Sequence, residues 1–266
     1  MTTELIVCGA AGRMGREIVR LLAQHRDVVL KGAIEAPHHA LLGQDAGVTA
    51  GAPASGVAIT SDLSRLITRD TVVVDFSSPE ATLEHLRIAV NHQAPIVVGT
   101  TGFSAAQEAE LERLAPQTRC LISSNMSLGV ALLTKLVELG ARALGDGFDV
   151  EILELHHRHK VDAPSGTALS LARVIAQAKG LSDTTFCYGR EGRVGPRPRN
   201  QIGILAARGG DVVGDHIVLF AGNAERIELT HRAQSRECFA RGAIRAAVWL
   251  KNQPNGRYTM RDVLGL

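Results

Sequence analysis

Apolar residues in the first half of the chain follow two alternating rhythms. Short apolar runs bounded by glycine, serine or proline read as strands. Longer stretches with apolar residues every three or four positions read as helices. Strands are predicted over 5–8, 28–34, 57–60, 71–76, 94–99 and 119–123. Between them come a helix carrying Ile18, Val19, Leu21 and Leu22, one from 61 or 62 to 67, one over 79–92 and one over 104–115. Repeated strand–helix units predict a parallel sheet with right-handed crossovers, whose ligands sit outside the carboxyl ends of the strands.

The rhythm changes after residue 128. A long amphipathic helix is predicted over 128–144, a strand over 148–155 and a helix over 168–178 that stops at Gly180. A strand-like segment over 183–188 precedes an irregular loop, 189–200, with Arg190, Arg193, Arg197 and Arg199. The loop reads as solvated or gating. Three further strand segments, 201–208, 211–221 and 226–233, turn at Gly209-Gly210 and Gly222-Asn223. A helix over 235–250 closes the pattern. The fold class is therefore α/β, in two parts. The first is an N-terminal Rossmann-like parallel sheet that binds a dinucleotide, 1–128 plus 240–266. The second is an α+β domain with an open mixed sheet, 129–239, for substrate binding and oligomerisation. An open sheet face or edge needs cover, which self-association provides.

Composition narrows the partners. With aromatics at 3% and a net charge of +2, nothing marks a nucleic-acid surface. No apolar run approaches the roughly 20 residues that cross a bilayer, and no basic segment precedes the first apolar run, so no membrane partner is expected. Four isolated cysteines, Cys8, Cys120, Cys187 and Cys238, fit a reducing, cytoplasmic setting.

Two stretches carry chemistry. In the first, a strand end runs into Gly9-Ala10-Ala11-Gly12-Arg13-Met14-Gly15 and then a helix. Gly9 makes the tight turn, Gly12 admits a pyrophosphate to the backbone and Gly15 lets the helix pack against the strand. The spacing G-x-x-G-x-x-G departs from the usual dinucleotide fingerprint, so the strand–turn–helix context carries the argument. Glu35, at the end of the next strand, stands where a carboxylate accepts from the ribose hydroxyls. A carboxylate there repels a 2′-phosphate, and Ala36 follows it rather than arginine. Cofactors NADH and/or NADPH are expected, with NADH used at least as well.

The second stretch is Glu154-Leu-His156-His157-Arg-His159-Lys160-Val-Asp162-Ala-Pro164-Ser165-Gly166-Thr167, between a strand and a helix. Asp162 and Ser165 are both plausible N-caps, and Pro164 suits a first turn. A helix start beside histidines and a lysine is an anion site next to proton donors. The stretch reads as a pocket for a small acidic substrate that is held and then protonated. His156 and His159 are three apart, but no His-Glu-x-x-His helix or cysteine pair accompanies them, so no metal is expected.

Taken together, the residues resemble the 4-hydroxy-tetrahydrodipicolinate (dihydrodipicolinate) reductases over almost the full chain. The marks are the 9–15 turn, Asp75-Phe-Ser77, Val98-Gly-Thr-Thr-Gly-Phe103, Ser124-Asn-Met-Ser127, the block 154–168 and Met260-Arg-Asp-Val-Leu264. The resemblance implies an NAD(P)H-dependent reductase of the diaminopimelate/L-lysine pathway. It would turn 4-hydroxy-tetrahydrodipicolinate into tetrahydrodipicolinate, with hydride from nicotinamide and the proton from His156 and Lys160. It implies that His157, Gly166 and Thr167 hold the carboxylates of this small cyclic substrate. It places the cofactor on Gly9, Ala10, Ala11, Gly12, Arg13, Met14, Glu35, Gly99, Thr100, Thr101, Ser123, Ser124, Asn125 and Met126, and implies a homotetramer joined through the C-terminal sheets. Some relatives carry arginine after the acid where Ala36 stands. Two alternatives remain open at this level: a homoserine-type nicotinamide dehydrogenase, and a redox sensor without catalysis.

Overall fold

The computed structural model describes residues 2–266. In chain order the elements begin with β1 (Thr3–Cys8), α1 (Arg13–Leu22), β2 (Val28–Ile34), α2 (Ala46–Thr49), β3 (Ile59–Thr60), β4 (Val72–Asp75), α3 (Pro79–His92), β5 (Ile96–Val98), α4 (Ala105–Leu114) and β6 (Arg119–Ile122). They continue with α5 (Leu128–Leu144), β7 (Asp149–His156), α6 (Gly166–Lys179), β8 (Phe186–Cys187), β9 (Ile202–Arg208), β10 (Gly214–Ala221), β11 (Arg226–Ala233), α7 (Glu237–Leu250), β12 (Gly256–Tyr258) and α8 (Met260–Leu264). Two compact units result: the chain through Leu128 with Arg236–Leu266, and Gly129–Ser235. The return to the first unit thus comes just before α7, ahead of the expected residue 240.

The first unit is a seven-stranded sheet in the order β12-β6-β5-β4-β1-β2-β3, parallel throughout. Its central strands are apolar on both faces: Leu5, Ile6, Val7, Val72, Val73, Val74, Ile96, Val97 and Val98 are all fully buried. That is why they read as continuous apolar runs rather than alternating ones. Ser78 caps α3 by accepting from Ala81 N–H, and Ser104 caps α4 in a reciprocal box with Gln107. The helix expected over 61–67 is a single 3₁₀ turn, Leu63–Arg65, started by Asp62. Asp62 and Ser64 satisfy each other locally, which favours a turn over a longer helix. The short α2 and the edge strand β12 are not in the sequence reading.

The second unit is a five-stranded mixed sheet, β11-β10-β7-β9-β8. β7 pairs parallel with β9 and antiparallel with β10. Residues of α5 and α6 cover one face, around Leu133, Val137, Leu171, Ile175, Ile152, Val218 and Phe220. The opposite face keeps Leu153 of β7 paired with Leu205 of β9, both more than a third exposed. The strand expected over 183–188 shrinks to Phe186–Cys187 after a 3₁₀ turn.

The basic loop 189–200 is tied down rather than freely solvated. Arg197 spans Glu151, Asp149 and the carbonyls of Val150 and Gln201, and Arg190 forms a paired contact with Glu151. The acids on β7 compete successfully with water for these guanidinium groups, because each arginine satisfies several acceptors at once.

Candidate active site

At the carboxyl end of β1 the chain turns through Gly9 at φ +74. A Cβ there would lie 2.6 Å from the Phe76 carbonyl oxygen, so only glycine fits. Gly12 precedes α1 without any side-chain cap, so no side chain satisfies the first N–H groups of that helix from the cap position. Glu35 Oε1 accepts from Ala11 N–H at 2.7 Å, which ties the acid at the end of β2 to the glycine turn. Gly9, Gly12 and Glu35 line a cavity of about 620 Å³, together with Asp62, Glu84 and His85. Arg13, Met14, Gly99, Thr100, Thr101, Ser124, Asn125 and Met126 line a second cavity of about 400 Å³. Both cavities lie at the strand ends of the first unit. A close-approach turn, an uncapped helix start and a carboxylate at the end of the next strand fit a dinucleotide.

Four of the expected contact residues have polar groups engaged within the protein. Ala10 gives its N–H to Ile34 O and Ala11 gives its own to Glu35, so both serve the turn itself. The Ser123 hydroxyl donates to Asn125 O at 2.7 Å and so shapes its own loop. Thr100 lines the second cavity, but its buried hydroxyl accepts from Thr82 at 2.8 Å.

Phe76 and Ser77 line both cavities at the expected strand-end groove, while Ser61, Ser78, Glu84, His85 and Phe239 also line them and are not among the expected site residues. The signal for Phe76 lies in Gly99, where a Cβ would fall 2.2 Å from the Phe76 ring. Behind them Asp75 is fully buried. It accepts from Ser77 N–H and Oγ on one oxygen and meets His85 Nδ1 at 2.7 Å on the other. Cys8 joins Asp75 and His85 within metal-ligand reach of one another. Burial, with Asp75 adding to it, pushes the Cys8 thiol well above its usual range.

In the second unit, β7 alternates so that Val150, Ile152, Glu154 and His156 face the helices. His156 is the last residue of β7, and its Nδ1 meets Glu154 Oε2 at 2.6 Å. Its ring stands edge-on to His216 of β10, with centroids 5.2 Å apart. His216 Nε2 meets Ser165 Oγ at 2.9 Å. Burial first, and the charge on His156 second, push His216 down to about 4, so it is neutral near pH 7.

Ser165 is the N-cap of α6 and accepts from Ala168 N–H. Of the two predicted caps it is Ser165 that serves, because the Asp162 carboxylate takes Lys160 Nζ at 2.7 and 2.8 Å. Pro164 consequently lies before the helix rather than in its first turn, and α6 starts at Gly166, earlier than expected. Gly166 and Thr167 are the first two helical residues, and a Cβ on Gly166 would meet nothing within 4 Å. His157 lies half-buried past the strand end, with its ring centroid 6.2 Å from that of His159. The loop therefore gathers His156, His157, Lys160 and the start of α6 in one unit, an arrangement that can bind carboxylates and deliver a proton.

Residues 3–126 match the family described as dihydrodipicolinate reductase, N-terminus, and residues 129–264 match dihydrodipicolinate reductase, C-terminus. The chain is 50% identical over 268 residues to the 4-hydroxy-tetrahydrodipicolinate reductase of Saccharophagus degradans, covering 100% of each chain. It is 48% identical to that of Anaeromyxobacter dehalogenans, covering 99% of this chain and 98% of the relative. Among solved structures, the dipicolinate-bound dihydrodipicolinate reductase of a Paenisporosarcina species superposes with a TM-score of 0.76. It is 25% identical, covering 97% of this chain and 98% of that one.

Proposed function

The chain belongs to the dihydrodipicolinate reductase family, and from that membership we propose how its own residues share the reduction of 4-hydroxy-tetrahydrodipicolinate to tetrahydrodipicolinate. It is an oxidoreductase of the diaminopimelate and lysine route that works with a nicotinamide cofactor. The reading rests on one observation above all: a buried imidazole at a strand end, backed by a carboxylate, beside a lysine and an accessible helix start.

The 4-hydroxyl of the substrate leaves as water to give a conjugated cyclic imine. The reduced nicotinamide, when bound, would supply the hydride that adds to it. The glycine turn and the uncapped start of α1 hold the pyrophosphate, and Glu35 takes the ribose hydroxyls. Arg13, Met14, Gly99, Thr100, Thr101, Ser124, Asn125 and Met126 shape the nicotinamide side of the cofactor site. His157 and the backbone of Gly166 and Thr167 hold the substrate carboxylates, with the positive end of α6 favouring both. Hydride addition leaves an electron pair on the neighbouring carbon. His156 protonates it as general acid, and Lys160 is a second proton donor at the same loop. A substrate carboxylate competes with Asp162 for Lys160, which frees the ammonium when substrate arrives.

NADH is used at least as well as NADPH. The 620 Å³ cavity presents Glu35, Asp62 and Glu84, while Ala36 and Pro37 bring no cation. A 2′-phosphate beside these carboxylates is repelled. Following the oxidation of each nucleotide with freshly generated substrate tests both the reaction and the preference. Turnover with the cyclic imine is the expected result. No turnover with either nucleotide defeats the functional reading, and a kcat/KM more than tenfold higher for NADPH defeats the preference alone.

The assembly we propose is a cytoplasmic homotetramer. Among the described residues no helix is long and apolar enough to cross a membrane. Ile217, Leu153 and Leu205 lie side by side on the uncovered sheet face, in three neighbouring strands. A second copy that covers this row removes apolar area from water. Light scattering is expected to give a four-chain mass, and the Leu153→Lys, Leu205→Lys double variant a smaller one. A monomeric wild-type protein rules the assembly out.

A further inference from the structure

His156 has been given the proton, but an imidazole has two nitrogens, and only one can serve. Glu154 decides which. Its side chain is fully buried on the same face of β7. Oε2 meets His156 Nδ1 at 2.6 Å and Arg208 Nη1 at 2.8 Å, while Oε1 accepts from Ser165 N–H at 2.9 Å and from Arg208 Nη2 at 2.9 Å. An ionised carboxylate only accepts, so the hydrogen between Glu154 and His156 belongs to Nδ1. Nε2 points toward Gly214, where a Cβ would lie 2.8 Å away, so glycine at that position leaves room for the nitrogen.

The carboxylate is ionised despite its burial. Burial alone raises the Glu154 carboxyl, but Arg208, His156 and the Ser165 N–H together bring it below the usual carboxylate range. Other charged or titratable groups near the imidazole are His216 from β10, Arg208 from β9, and Lys160 and Asp162 from the loop. With His216 neutral, Glu154 is the carboxylate that balances an imidazolium at His156. Arg208 also donates to Asp162 O at 2.7 Å, so one guanidinium links this carboxylate to the loop that carries Lys160.

We propose that Glu154 is a positioning residue for the proton transfer. It holds His156 as the Nδ1–H tautomer, makes Nε2 the atom that gives up the proton, and through Arg208 and Ser165 N–H sets that atom against the Lys160 loop and the start of α6. The inference rests on His156 being the proton donor. In the step, His156 starts as the imidazolium with a proton on each nitrogen. The Nε2–H bond breaks, its electron pair stays on nitrogen, and the neutral Nδ1–H imidazole is left. The substrate's electron pair forms the new C–H bond, and solvent later reprotonates Nε2.

The test is imidazole nitrogen NMR of the full chain labelled at histidine, with His156→Gln used to identify the His156 signals. Neutral His156 in the wild type is expected to be Nδ1–H; an Nε2–H tautomer there overturns the proposal, whatever happens to any variant. Glu154→Gln keeps the volume but offers an amide N–H to Nδ1, which selects the other tautomer. That variant is expected to lose the Nδ1–H preference and at least tenfold in kcat, with NADH affinity unchanged within twofold. An unchanged tautomer with unchanged kcat overturns the role of Glu154. Arg208→Lys is expected to keep the tautomer and raise KM severalfold; an unchanged KM breaks the link to the loop. If His156→Gln turned over normally, the proton-donor reading itself would fall, independently of the tautomer result.

Discussion

His156→Gln is expected to lower kcat by about a hundredfold to ten-thousandfold, the range over which a positioned general acid contributes. A hundredfold loss corresponds to about 2.7 kcal/mol of barrier. Glutamine can occupy the space and hydrogen-bond to Glu154, but it has no transferable proton near neutral pH. Nucleotide affinity should survive, because the glycine turn and Glu35 belong to the first unit while His156 belongs to the second. Lys160→Ala separates the two roles in the loop. It removes a proton donor and a cation, so kcat is expected to fall and KM for the substrate to rise together. Steady-state kinetics with fluorescence titration of NADH distinguishes these patterns. Near-wild-type turnover in either variant removes the assigned role of that residue.

Much of this site is legible in the chain because its parts are local. The strand–glycine–helix turn at 9–15 and the loop 154–167 each carry their own geometry, set by backbone conformation and capping over a few residues. What is not legible depends on residues brought in from elsewhere. Arg208 and His216 reach Glu154 and Ser165 only through the pairing of β7 with β9 and β10. Nothing in the spacing of Arg208 from Glu154 announces a paired contact. The Asp75–His85 pair is hidden for the same reason, since a helical turn must carry the histidine back over the strand end. Strand β12 has no apolar run of its own; Gly256-Arg-Tyr258 becomes a strand by pairing with Arg119–Leu121. Ser165 rather than Asp162 caps α6 because a lysine two residues upstream claims the aspartate, a competition that propensity alone does not resolve.

Gly15→Ala is expected to destabilise the first unit and to weaken NADH binding by more than tenfold. Two effects oppose each other here. Alanine favours a helix over glycine by about 1 kcal/mol, and Gly15 lies within α1, so propensity alone predicts a gain. Sterics predict the reverse, because a Cβ at Gly15 would lie 2.1 Å from Gly9 O and 2.7 Å from Ala10 Cα. Both are backbone atoms, so no side chain can rotate away. Gly9 cannot retreat either, being held at positive φ against the Phe76 carbonyl. Relief must come from moving α1, whose Ile18, Val19, Leu21 and Leu22 are buried and whose Arg20 pairs with Glu237 of α7. Overpacking of this kind costs about 1–3 kcal/mol or more, which outweighs the propensity term. The displaced helix start is also the proposed pyrophosphate site, so nucleotide affinity falls with stability. Gly147→Ala is the matched control, since a Cβ there meets nothing within 4 Å and its φ is ordinary. Thermal melts and NADH titrations on both variants decide the matter: a Gly15→Ala protein as stable as wild type, with unchanged Kd, means the turn tolerates the methyl group and is not what grips the nucleotide.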